Sequence, residues 1–498
     1  MSADLPGSKK NLLLLALIVA VGLGLRLYRL SDHGMFVDEV YSVLVATGTG
    51  DPELMRFDAS RPFYFFLLKL WHMLGSDDGW LRLFSVLFGT ANIVLLYILG
   101  KLAGGARLGL AAALITALSP MEIHYSQQVR MYTLGSCLVL SGTYALIKAF
   151  ETSKKIFLAL WAILRLLMVL TLPLTAVLLG IDVLYAAAHL KDKDKRPLLP
   201  LMGIGAAAIA ACWAPFLLIL LQAQSSPYDS WRSSLDKPNA LDFLTLLVNF
   251  TASAIPLQES GGPPIYDFIT GTYVLIFPVI LALALFYCRK EKTMRWLALW
   301  GLLPLTGLFV YSLFRPPLFI TRYSMFTAPF VYLLLAFGWS EIYKLKKYGK
   351  YVGICLAIIY GLAMTSFINY FYNHQVHEDW RRISAYLTEH ERAGDEIIVW
   401  NYHSKYLLGY YYKGKNRVSD LEVGKSDDEN NNGLVISLEL DPPPKTGQRL
   451  WIVTREAAPG WHNMREVYED FSRAVTEHYK ILNHKNLGMS DIYEVQEP

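Results

Sequence analysis

The sequence is short of charge and short of cysteine. Only 18% of its 498 residues are charged while 54% are hydrophobic, and the mean hydropathy is +0.32. That balance excludes an ordinary soluble enzyme of this length. The four cysteines, Cys137, Cys212, Cys288 and Cys355, all lie within or at the end of apolar runs. A disulfide framework and a cysteine zinc site are therefore not implied. Internal repeats are lacking, as is any glycine-rich phosphate loop. The net charge is only +4, with the basic residues gathered in short loops, which argues against nucleic acid as a partner.

What the sequence does have is a succession of apolar runs. A bilayer core of about 30 Å takes roughly 20 apolar residues per helix. Such windows run approximately over residues 11–30, 80–100, 107–119, 131–149, 156–172, 174–190, 198–222, 268–288, 296–312, 323–342 and 351–372, about eleven spans. Lys9 and Lys10, Lys101 and Arg107, Lys148 with Lys154 and Lys155, KDKDKR from Lys191, RKEKTMR from Arg289 and KLKKYGK from Lys344 then fall on one side. Excess Lys and Arg marks the cytoplasmic side, and an odd number of spans carries the C-terminus out.

The expected fold is an α-helical polytopic membrane protein with a small C-terminal extracytoplasmic α/β domain. Its membrane part covers 1–372, with outer loops near 31–79, 120–130, 223–267 and 313–322, and the soluble part covers 373–498. In the first loop, RPFYFFLLKLWHML from Arg61 is too short to span, so an interfacial helix is expected. The tail alternates helical and strand patterns: DWRRISAYLTEHE, DEIIVW, SKYLLGYYYKG, LVISLEL, RLWIVTRE, MREVYEDFSRAV and DIYEV.

Three polar clusters stand on the outer side. Asp38 and Glu39, in MFVDEVYS, follow the first span. A carboxylate there suits a general base, and it equally suits the capping of a helix that starts at this point. The stretch SPMEIHYSQQVRMY carries His124, Tyr125, Gln128, Arg130 and Tyr132; its arginine fits either an anionic oxygen or a lipid headgroup. FRPPLFITRY adds Arg315 and Arg322 to an outer loop that should be poor in arginine. Arg165 and Asp182 fall at matching depths of one hairpin, where an ion pair is the natural reading. His33, His72 and His124 lack the spacing of a metal site.

These stretches, VDEVYS, then RPFYFFLLKLWHMLGSDDGWLRLFSVLFGTANIVLLYILG, then LSPMEIHYSQQVRMY, resemble the polyprenyl-phosphate-sugar-dependent GT-C glycosyltransferases. The nearest group is family 39, the dolichyl-phosphate-mannose protein mannosyltransferase-like proteins, with aminoarabinose transferases as cousins. The resemblance covers about the first 190 residues well and the tail only loosely. It implies that Asp38 is the catalytic base, with Glu39 as the second acid of the pair. Arg130, Arg315 and Arg322 would hold the donor phosphate, and Arg61, His124, Tyr125, Gln128 and Tyr132 would line the substrate site. One departure stands out, because many relatives carry a histidine where this chain has TLPLT from Thr171.

The function so implied is transfer of a sugar from a polyprenyl-phosphate donor to a lipid, polysaccharide or protein acceptor at the outer face of the membrane, by inverting displacement. A divalent metal is compatible with the sequence and not required by it. A bacterial inner membrane is the expected location, because the exported domain is small and cysteine-free. The competing classes are a transporter, which would place its charges near the midplane on paired halves, and a non-catalytic assembly subunit.

Overall fold

The computed structural model describes residues 6–223, 235–252, 264–345, 347–373, 378–399, 402–420, 423–425, 434–436, 448–454, 472–473, 475–477 and 479–496. Two compact units emerge, one formed by Met1–Leu30 with Val43–Tyr370, the other by Ser31–Ser42 with Phe371–Pro498. The second unit thus includes the first-loop segment that carries Asp38 and Glu39, where the sequence alone suggested a division near residue 372.

The first unit is helical. Among the described residues, eight helices are long and apolar enough to cross a membrane, or nine if a bent pair counts as one span. The chain is a multi-pass membrane protein. Each of the eleven apolar windows is helical, and the windows at 107–119, 156–172 and 174–190 are represented by short helices, Ala106–Leu118, Lys155–Val169 and Val177–Ala187. An element not anticipated is the apolar helix Ala240–Ala252, inside what reads as an outer loop. It packs against Pro120–Ser126 and Ala328–Tyr343.

Local chemistry sets the breaks. Asp77 caps the helix Asp78–Gly104 by accepting the Trp80 amide at 2.9 Å. Gly105, at φ 91°, turns the chain into Ala106–Leu118. The two helices then come very close: a Cβ on Gly100 would stand 2.8 Å from the Gly109 Cα. Ala106–Leu118 and Pro120–Ser126 meet at a 61° bend. Ser119 is extended there, and its Oγ accepts the Glu122 amide at 3.3 Å, while Pro120 has no N–H to give the preceding turn. The first-loop helix expected from Arg61 onward is Pro62–His72, with Tyr64, Phe65 and Leu68 buried and Phe66 58% exposed, the two-faced pattern of a helix that does not span.

The second unit contains a five-stranded sheet. Its strands are β1 (Glu396–Val399), β2 (Arg417–Asp420), β5 (Arg449–Val453), β6 (Lys480–Asn486) and β7 (Asp491–Gln496), in the order β2-β1-β5-β7-β6. The contacts of β1 with β2 and β5 are parallel, and those of β7 with β5 and β6 antiparallel. A separate antiparallel pair joins β3 (Val423–Lys425) to β4 (Leu434–Ile436). β1 and β5 are buried, and Trp380, Ile383 and Leu387 of the amphipathic helix Trp380–His390 are buried as well. Arg449 clasps the sheet, with its guanidinium on the carboxylates of Asp395 and Glu494. Burial pushes the Asp395 pKa up, but Arg449, the Arg392 amide and the Trp451 indole bring it below the ordinary value. The expected helix MREVYEDFSRAV lies almost wholly outside the described residues.

Candidate active site

The acidic pair opens the helix Val37–Thr47. The Phe36 amide donates to Glu39 Oε2 at 3.2 Å, and the Phe36 carbonyl in turn accepts the amides of Glu39 and Val40 at 3.0 and 3.1 Å. Glu39 is 1% exposed. It therefore closes the first turn of the helix. Asp38, one residue earlier, is half-buried. Its carbonyl accepts Ser42 Oγ at 2.8 Å, and its carboxylate acts electrostatically on the ring of His403. His403, on the helix Tyr402–Tyr411, shares a hydrogen bond with Tyr41 Oη.

In the membrane unit, SPMEIHYSQQVRMY folds as the short helix Pro120–Ser126, a tight connection and the start of Tyr132–Thr152. The structure brings five expected site residues together here. His124 Nε2 lies 2.7 Å from Gln128 Nε2, with the His124 and Tyr125 rings edge to face at 5.1 Å. Tyr125 meets Tyr132 the same way at 5.0 Å, and the Arg130 guanidinium lies 5.8 Å from the Tyr132 ring centroid. Arg130 is only 9% exposed, and Tyr132 Oη is buried with no hydrogen-bond partner among the described residues. An arginine and a phenol at the rim of a bent span are suited to an anionic oxygen.

This cluster rests on a buried polar scaffold that sequence reasoning missed. Arg26, fully buried near the end of the first span, reaches Ser126 Oγ at 3.1 Å and the carbonyls of Gly22, Thr116 and Ala117 at 2.9–3.2 Å. Gln127 Nε2 donates to the Arg26 and Tyr28 carbonyls at 3.0 and 2.8 Å. Tyr332 Oη donates to the Phe250 carbonyl at 2.7 Å, with Glu122 Oε1 at 3.4 Å. The available signal was an arginine inside an apolar run, which must be partnered if it is buried.

The other expected residues lie on other elements of the membrane unit. Arg61 forms an ion pair with Asp58 at the start of Pro62–His72. Arg315 is exposed at the end of Lys292–Phe314, and its carbonyl accepts Lys237 Nζ at 2.6 Å. Arg322 is half-buried, 5.4 Å from the Tyr323 ring centroid. The loop between them is fixed by Ser312 Oγ, which accepts the amides of Leu318 and Phe319 at 2.9 Å each. Three residues after Arg322 begins the turn Met325–Thr327, which packs against Tyr132–Thr152.

Arg165 and Asp182 are paired, as the hairpin depth suggested. Arg165 Nε lies 2.7 Å from Asp182 Oδ2, and the indoles of Trp161 and Trp300 donate to the same carboxylate at 2.7 and 2.8 Å. The rest of the guanidinium is taken by the Val139 carbonyl and Thr143 Oγ1 at 3.0 Å each. Every strong site on the pair is occupied, which is the condition of a structural ion pair. Among the described residues, no group of three or more His, Cys, Asp or Glu side chains is placed to hold a metal ion.

Solved structures with the same architecture exist. ArnT from Cupriavidus metallidurans bound to undecaprenyl phosphate aligns over 96% of this chain and 97% of its own, with a TM-score of 0.55 at 11% identity. In its apo state ArnT gives a TM-score of 0.57 at 12% identity, with the same coverage. The chain has the GT-C fold. The archaeal oligosaccharyltransferase AglB from Archaeoglobus fulgidus, in complex with an inhibitory peptide and a dolichol-phosphate, shares it. That alignment covers 82% of this chain and 64% of AglB, with a TM-score of 0.54 at 12% identity. The sequence model of the dolichyl-phosphate-mannose-protein mannosyltransferase family matches residues 59–219. This GT-C match agrees with the resemblance read from RPFYFF and QQVRMY and begins after the acidic pair. No curated relative matches the chain by sequence.

Proposed function

We propose that this GT-C chain is a membrane glycosyltransferase that moves a sugar from a polyprenyl-phosphate carrier to an acceptor hydroxyl or amine, with Asp38 as the base. The observation that carries the reading is the division of labour in the acidic pair: buried Glu39 closes the helix turn through the Phe36 amide, and half-buried Asp38 is presented beside it. The family match over 59–219 and the polyprenyl phosphates named with ArnT and AglB support the donor class.

The chemistry is one displacement. The acceptor oxygen or nitrogen attacks the anomeric carbon, its proton passes to the Asp38 carboxylate, and the bond from that carbon to the phosphate oxygen breaks with its electron pair leaving on the phosphate. Attack from the face opposite the leaving group inverts the anomeric centre. Charge grows on the phosphate as the bond breaks, so cations preset around it lower the barrier. Arg130, buried against Tyr132, is the first candidate for that role, with Arg322 and Arg315 as further cations. The acceptor class is lipid, polysaccharide or protein, and the site is read as lying on the outer face of a bacterial inner membrane.

The test is sugar transfer in membrane vesicles supplied with radiolabelled polyprenyl-phosphate sugars, native membranes providing the acceptor. Asp38→Asn is expected to lose about 10²-fold or more in turnover while still binding donor. Undiminished turnover in that variant would reject the assignment.

A further inference from the structure

The peptide that leads into the acidic pair is held by the C-terminal domain. Asp379 Oδ1 accepts the Gly34 amide at 3.1 Å and the Arg382 amide at 3.2 Å, so one carboxylate oxygen both captures the loop and caps the helix Trp380–His390. The next amide, that of Met35, donates to Tyr411 Oη at 2.6 Å. Upstream, Arg381 Nη2 donates to the carbonyls of Ser31 and Asp32 at 2.7 and 3.0 Å, and the His33 ring lies 3.7 Å from Asp379 Oδ2. The main chain from Ser31 to Met35 is thus gripped by side chains of three residues that lie about 345 to 380 positions later in the sequence.

The grip is close-fitting. Asp379 is 1% exposed and Met35 fully buried. A Cβ on Gly34 would stand 3.0 Å from Asp379 Oδ1 and 3.1 Å from both the Arg381 amide nitrogen and Cβ. The backbone partner in that set cannot swing aside, so the loop sits in a cradle shaped for glycine. Two residues after Met35 the helix Val37–Thr47 begins, and its first turn carries Asp38. A shift of the cradle is therefore passed along very few bonds to the reacting carboxylate, and displacements of about 1 Å are enough to slow chemistry by 10²-fold.

We infer that Asp379 is a positioning residue: it anchors the Gly34 backbone to the C-terminal domain and thereby sets the register of Asp38. The inference rests on the reading of Asp38 as the base. The C-terminal domain then has a part in catalysis that needs no contact of its own with substrate. Tyr411 and Arg381 complete the anchor, and Tyr41, three residues after Asp38 on the same helix, hydrogen-bonds His403 of the same domain.

The experiment compares the full-length protein with Asp379→Ala and Asp379→Asn, by hydrogen–deuterium exchange over residues 31–40 and by transfer kinetics at varied donor. In Asp379→Ala, exchange at Gly34 is expected to rise about tenfold or more, the loss of a hydrogen bond to a charged group. The maximal rate should fall at least about tenfold with the donor KM little changed. Asp379→Asn keeps an acceptor oxygen and should recover most of both. Unchanged loop exchange in a variant whose sheet stays protected would overturn the anchor, and a loosened loop with an unchanged maximal rate would overturn the positioning role. Should Asp379→Ala expose the whole domain, Gly34→Ala attacks the same cradle from the loop side and is read by the same two criteria. Full turnover in Asp38→Asn would remove the base assignment, whereas the exchange result would still decide the anchor.

Discussion

The Phe36 amide and the Glu39 carboxylate close the turn on which Asp38 stands, at 3.2 Å. Two adjacent acids that look equivalent in sequence are thereby made unequal, one buried and engaged with the backbone, the other half-buried on the preceding residue.

The inequality predicts different penalties for two mild substitutions. Glu39→Gln keeps an oxygen for the Phe36 amide and should lower turnover only a few-fold, the scale of a weakened cap. Asp38→Asn should cost about 10²-fold or more. Turnover measured side by side with a radiolabelled polyprenyl-phosphate sugar checks this, and equal losses would mean that the two acids act as a unit.

Arg130 predicts a binding effect. Its guanidinium is buried against Tyr132 beside a bent span, where a charge-assisted contact to phosphate is worth about 1.5–3 kcal/mol. Arg130→Ala should weaken donor binding roughly 10- to 100-fold. Arg130→Lys should recover little, because an ammonium lacks the planar fork. Donor affinity measured on the purified protein decides, and an unchanged value would reject the phosphate role.

The buried pair of Arg165 and Asp182 predicts a loss of stability without a specific loss of chemistry. Removing one partner strands a charge that is 0% exposed, which costs about 3–5 kcal/mol. Arg165→Ala or Asp182→Ala should lower the thermal midpoint markedly. The double change to Met and Leu should recover much of it, since an apolar pair leaves no stranded charge. A midpoint that stays put in either single variant would contradict the structural role.

Much of this was legible in the sequence, because it is local. The membrane windows are set by composition, the break at Ser119–Pro120 by a capping serine and a proline, and the strands β1, β5 and β7 by short apolar runs such as EIIV and RLWIV. β6, KILNHKN, is exposed at every position and so shows no alternation to read. The helix Ala240–Ala252 is apolar but too short to mark as a span. What sequence could not show is long-range pairing: Gly34 meets Asp379 across 345 residues, and Arg26 meets Ser126 across 100. In the candidate site, the residue types in VDEVYS and QQVRMY were readable, and the split in burial and hydrogen bonding between Asp38 and Glu39 was not. That split depends on which side chain can bend back to the Phe36 amide.

The anchor at Asp379 predicts a one-sided response to pH. Burial pushes the Asp379 pKa up, but the His33 ring, the amides of Gly34 and Arg382, and the Arg381 charge together hold it below the ordinary value. With the folded value below the unfolded one, the stabilisation is complete above about pH 4, the ordinary aspartate range, and is lost as the pH falls through the folded value. The charged and titratable side chains set against Asp379 are His33, Arg381 and Arg382. Protection of the Gly34 and Met35 amides, corrected for intrinsic exchange, should therefore be level from about pH 8 to 5 and collapse only below the ordinary carboxylate range. In Asp379→Asn the collapse should vanish, because the group that titrates is gone. A loss of protection centred near neutrality would contradict the assignment of the anchor to Asp379.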